Sequence, residues 1–176
     1  MPWVWIAFAP VWRLVVAFVV GKRDQESANM LLERLQAVSC GYIPFFTSDQ
    51  LPEYDDALLH TYGVWVQPER KGDRGRYPQP LLVPTTDLLY AQVVKVREHG
   101  RVTEVKTKVV FGKPEAIAYK LAHSSVSDTI NTSFVERDNL TQRQSNRRLT
   151  RRTNGFSKEI IWFEKQLWLS MAYYHF

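Results

Sequence analysis

The sequence predicts an α/β domain in which a mixed sheet is flanked by helices. Three observations carry this. Short apolar runs rich in Val, Trp and Phe alternate with segments whose apolar residues recur at helical spacing. The 176 residues suffice for one domain with a sizeable core. Their 45% hydrophobic and 23% charged content is ordinary for a globular chain and excludes wholesale disorder.

Residues 3–20 are apolar apart from Arg13 and are long enough for a membrane span. Pro10 would break such a helix, and Arg13 near the bilayer centre would cost about 2.5–3.5 kcal/mol. Two strands, Trp3–Ala9 and Arg13–Val20, fit the composition better, both buried and so nearly continuously apolar. The alternative is a small membrane-anchored protein that uses this stretch.

Gly21 ends the second strand. Asp24 is an N-cap for a helix over Gln25–Cys40, with Ala28, Leu31, Leu32, Leu35 and Val38 on one face and Gly41 as the C-terminal glycine. Tyr42–Ser48 reads as a short strand ending at Asp49. Pro52 suits the first turn of a second helix, Pro52–Tyr62, closed by Gly63. Val64–Gln67 is another short strand. Pro68–Thr86 carries four prolines and two glycines and reads as a long loop. Leu89–Arg97 and Arg101–Phe111 flank His99-Gly100 as a hairpin, its second arm half-exposed and basic. Together the loop and hairpin form an insert over about residues 67–112. Ala122–Thr132 is a polar connector. From Ser133 a helix runs toward Asn154-Gly155. Ser157 then caps a final helix with Ile160, Phe163, Leu167, Met171 and Tyr174 in a stripe.

The net charge is +5. Residues 134–158 hold Arg137, Arg143, Arg147, Arg148, Arg151, Arg152 and Lys158 against Glu136 and Asp138, also +5, so the remainder is neutral. Glu136, Asn139, Arg143 and Arg147 recur at i, i+3, i+7 and i+11 and would share one helical face. Guanidiniums on such a face suit phosphate, which they bind with two parallel hydrogen bonds. The bland alternative is a solvated helix end whose cations complement the dipole. Cys40 is the single cysteine, which excludes an internal disulfide or a Cys-based zinc site and fits a reducing, cytoplasmic setting. As a small residue at a helix end it is expected to be buried. His60, His99, His123 and His175 lack metal-ligand spacing.

The run Phe134-Val135-Glu136-Arg137-Asp138-Asn139-Leu140-Thr141, then Arg143, Arg148-Leu149-Thr150-Arg151-Arg152-Thr153 and Phe156-Ser157-Lys158, resembles the C-terminal signature of IS1-type insertion-sequence transposases. Gly21-Lys22-Arg23, Thr47-Ser48-Asp49 and the Tyr90–Phe111 hairpin agree with it, so the resemblance spans nearly the whole chain. It implies a ribonuclease H-like domain over residues 1–176 with basic C-terminal helices at 133–176. It implies Mg²⁺-dependent strand cleavage and transfer on double-stranded DNA, by an Asp, Asp, Glu set holding two metals. It also implies a homo-oligomer on DNA, without a membrane.

Residue by residue, Asp49 matches the second carboxylate and Glu136 the third, as catalytic and metal-holding groups. Asn139, Arg143, Arg147, Arg148, Arg151, Arg152 and Lys158 fall to DNA contact. Ala9 stands in the first Asp slot. The family's second carboxylate ends the fourth strand of its sheet, whereas Asp49 ends the third strand here. Family members carry a zinc ribbon and a helix-turn-helix ahead of this domain, and this chain resembles the downstream part. The expectation is a transposase catalytic domain disarmed at Ala9. The alternative is a non-catalytic DNA-binding or oligomerisation protein on the same fold.

Overall fold

The computed structural model describes residues 2–70, 77–149 and 157–176. The apolar N-terminal run folds as two antiparallel strands, β1 (Trp3–Ala9) and β2 (Leu14–Gly21). No helix among the described residues is long and apolar enough to cross a membrane. Arg13, expected to start β2, lies instead in the turn with φ +53°.

The run is continuously apolar because both faces of the hairpin are covered. Trp5, Ala17 and Val19 face one core, while Val4, Ile6, Val15 and Phe18 face another. Val15 and Ala17 lie on opposite faces despite their spacing of two. A bulge between Ala7 and Phe8 in the pairing makes this so. Val16 is the extra residue, and it reverses the alternation behind it.

α1 (Gln25–Val38) and α2 (Pro52–Tyr62) cover the first face. Leu31, Leu32 and Leu35 of α1 join Ala57, Leu58 and Tyr62 of α2 in that core. The Asp24 side chain accepts from the backbone N–H of Ser27 and caps α1 as expected. Cys40 is exposed, which corrects the expectation of burial. α1 already ends at Val38, and the chain turns away through Cys40 and Gly41, at φ +49° and +82°.

β3 (Phe46–Asp49) pairs parallel with β6 (Tyr90–Glu98), which pairs antiparallel with β7 (Arg101–Phe111). This three-stranded sheet is mixed, so the protein is mixed α/β. It is separate from the β1–β2 hairpin, where the sequence suggested one continuous sheet. β4 (Gly63–Val66) pairs with β5 (Leu81–Pro84) as a third small sheet. β5 lies inside the stretch expected to be only loop.

Gly112, at φ +91°, turns the chain into α3 (Pro114–Ala122), a helix that was not anticipated. Its Ile117 is buried with Leu89 and Ala91 against the sheet. α4 (Ser133–Ser145) is shorter than expected and gives way to a 3₁₀ turn, Arg147–Leu149. α5 (Ile160–His175) lays Phe163, Leu167 and Met171 on the second face of the hairpin.

Candidate functional site

Asp49 ends β3, in register with Val93 of β6. Lys95 lies two residues further along β6 and therefore on the same sheet face. The first turn of α4 reaches this face. Lys95 Nζ donates to Glu136 Oε1 at 2.5 Å. Thr132 Oγ1 donates to the same oxygen at 2.8 Å, and Thr47 Oγ1 donates to the Asn131 carbonyl oxygen at 3.4 Å. The result is a Lys95–Glu136 ion pair on the face of the sheet where β3 ends at Asp49.

Their protonation is pulled in opposite directions. The hydrogen bond from Lys95 leads in holding the Glu136 carboxyl below its ordinary value, and Thr132 adds to it against a partial desolvation. The Asp49 carboxyl is raised. Loss of hydration is the main cause although the residue sits at an exposed strand end, and the negative charge of Glu136 adds to it. Arg23 and Lys95 oppose that rise.

Arg23, whose charge acts on Asp49, lies at the Trp3 end of the hairpin. Arg23 follows β2, and its guanidinium lies 5.3 Å from the Trp3 ring centroid. Trp5 Nε1 donates to the Lys22 carbonyl oxygen at 2.8 Å, and the Trp5 ring meets Tyr54 of α2 edge-on at 5.4 Å. Trp3 pairs with Gly21, whereas Ala9 pairs with Leu14 at the other end. Six residues of extended strand place Ala9 about 20 Å from Trp3. Arg23 and Trp3 thus lie at one end of the hairpin and Ala9 at the other.

A second polar network fixes the opposite face of the same sheet. Ser48 Oγ and Tyr90 OH share a hydrogen bond of 2.7 Å. Gln92 Nε2 donates to Tyr90 OH at 3.0 Å and to Asp55 Oδ1 of α2 at 2.5 Å. Gln92 and Tyr90 are buried, and burial pushes the Tyr90 hydroxyl up to about 12. Every link holds β3, β6 and α2 in one arrangement, and so holds the residue before Asp49. Sequence reasoning missed this network. Its only local signal was a polar pair, Tyr90 and Gln92, at strand spacing in an apolar run.

The basic residues divide. Asn139 is half-buried on α4, and Arg143 is exposed there. Arg147 does not continue that face, which corrects the i, i+11 expectation, because the helix stops at Asn146. Asn146 is buried, with its side chain donating to Ser170 Oγ at 3.1 Å and accepting from the Arg148 N–H at 3.0 Å. The Arg148 guanidinium is engaged inside the protein, by Ser157 Oγ at 2.7 Å and the Trp162 carbonyl oxygen at 3.2 Å. Lys158 is exposed. Arg151 and Arg152 lie outside the described residues.

Magnesium takes oxygen ligands, often only one or two carboxylates completed by water and phosphate. Asp49 and Glu136 carry carboxylate oxygens of that kind, and Lys95 is the cation already on Glu136. No group of three or more His, Cys, Asp or Glu side chains able to hold a metal lies among the described residues. No protein-family model, curated protein or solved structure matches the chain.

Proposed function

We propose that this chain is a ribonuclease H-like catalytic domain of the IS1 transposase type, which binds double-stranded DNA and directs metal-dependent chemistry at a phosphate. One observation carries the reading. Lys95, on the sheet face where β3 ends at Asp49, holds Glu136 of α4 at 2.5 Å, so residues far apart in sequence meet at one strand end. Mg²⁺ held there would polarise a phosphoryl oxygen and neutralise charge as it develops. Lys95 keeps Glu136 ionised and ready as a ligand, and Arg23 opposes the desolvation that raises Asp49. Arg143 and Lys158 are exposed cations for the DNA backbone.

Chemistry by two metals needs a further carboxylate, and Asp49 and Glu136 have no third partner among the described residues. This favours a second reading, in which the same face binds DNA without cutting it.

Mn²⁺ titration by calorimetry tests the site, with the wild type beside Asp49→Asn, Glu136→Gln and Ala9→Asp. A weak single site in the wild type, lost in the first two variants and unchanged in the third, supports the proposal. Equal binding in all four removes the carboxylate pair from it. A markedly tighter site in Ala9→Asp would restore Ala9 to the metal site. Metal-dependent nicking of plasmid DNA separates the catalytic from the non-catalytic reading.

A further inference from the structure

The β6–β7 hairpin is longer than the sheet that carries it. β3 pairs with β6 only as far as Val93, so from Val94 onward β6 has β7 as its one strand partner among the described residues. The result is a two-stranded ribbon with its tip at His99-Gly100, where both residues have positive φ. β7 is exposed from Arg101 to Lys108. Val94 pairs with Lys106, and residues 94–106 hold Lys95, Arg97, Arg101 and Lys106 against Glu98 and Glu104, a net charge of +2. Lys95 is held by Glu136, and Lys106 by Glu104 at 2.9 Å. Arg97 and Arg101 make no ion pair among the described residues.

We propose that this ribbon is an arm that grips the backbone of B-form duplex DNA to one side of the Asp49–Glu136 pair. The inference rests on the DNA-binding reading above and names the element that makes the grip. Three features choose the partner. The excess charge is positive and meets phosphate. A two-stranded ribbon fits the major groove of B-DNA, whereas the deep, narrow major groove of an RNA duplex does not admit side chains. Between Val94 and Lys106 there is no Phe, Tyr or Trp, so the ribbon lacks the stacking platform used for single strands.

The geometry also sets a distance. Five residues separate Lys95, paired with Glu136, from Gly100 at the tip, about 17 Å of strand. That is about five base pairs of duplex. The arm therefore holds DNA about half a helical turn from the phosphate at Asp49 and Glu136.

The test compares the full chain with Arg97→Ala/Arg101→Ala. Both side chains lie past the sheet and are exposed, so melting should be unchanged, and circular dichroism checks this. The probes are a random 30-base-pair duplex and a single strand of the same length, read by fluorescence anisotropy over a salt series. Expected are about tenfold or greater loss of duplex affinity, a salt slope shallower by about two, and a hydroxyl-radical footprint shortened by about five base pairs on one side. Unchanged duplex affinity and footprint in the variant would overturn the arm and leave the DNA-binding reading standing. Loss of single-strand binding alone would overturn the arm as a duplex grip. Absence of salt-dependent DNA binding by the wild type would overturn both.

Discussion

At the residue scale, Asp49 and Glu136 respond to acid in opposite senses. The Glu136 carboxyl is lowered, so its contribution is complete above the ordinary glutamate value and is lost as pH falls through the folded value. The Asp49 carboxyl is raised, so its contribution is complete below the ordinary aspartate value and is lost as pH rises through the folded value. Asp49→Asn should therefore raise the melting temperature at neutral pH, with the gain disappearing below about pH 4. Lys95→Ala should raise both carboxyl pKa values, read by carboxyl NMR titration, because each loses the same neighbouring cation. If Lys95→Ala leaves Glu136 titrating as before, the ion pair at the site is not formed in solution. Asp49 lies at a strand end and Glu136 in the first turn of a helix, where the sequence placed them, while their pairing as a site came only from the resemblance. Lys95 was not singled out, because nothing local distinguishes it from other strand lysines. Only the crossing of α4 over the sheet gives it a partner.

At the element scale, boundaries set by local chemistry were readable and those set by distant contacts were not. The Asp24 cap and the proline at the start of α2 act within one turn, and both helices begin where the sequence placed them. The end of α4 depends instead on Asn146 reaching Ser170, 24 residues away. α3 escaped notice because it buries only Ile117, too little for a periodic stripe, although Pro114, Glu115 and Lys120 mark its two ends. β5 was hidden by the prolines around it, which an edge strand tolerates. Asn146→Ala should destabilise the protein by about 1–3 kcal/mol, because the Ser170 hydroxyl and the Arg148 N–H both lose a buried partner. A chemical denaturation series measures this. A change below a few tenths would mean that the α4–α5 tether carries no energy.

At the scale of the whole molecule, the β1–β2 hairpin is a central layer, with α1 and α2 on one side and α5 on the other. Leu167 is fully buried in the α5 layer. Leu167→Ala should cost about 2–5 kcal/mol, lowering the melting temperature by about 5–15 °C and leaving the Asp49–Glu136 face intact. Thermal melts beside the Mn²⁺ titration would show stability and site moving independently. The helical layers could be read from apolar spacing. The separation of the strands into three sheets could not, because hydrogen-bond pairing between distant segments leaves no local pattern.

That central layer has a consequence for biosynthesis. The helix that covers the second face of β2 is made about 140 residues after it. At ordinary translation speeds the wait is about 7–30 s. During it Val4, Ile6, Val15 and Phe18 lack their cover and form a sticky strip on the nascent chain. A holding chaperone has its natural purchase there, and crowded polysomes have a route to aggregation. Slowing the ribosome between β2 and α5 should lower the yield of folded protein.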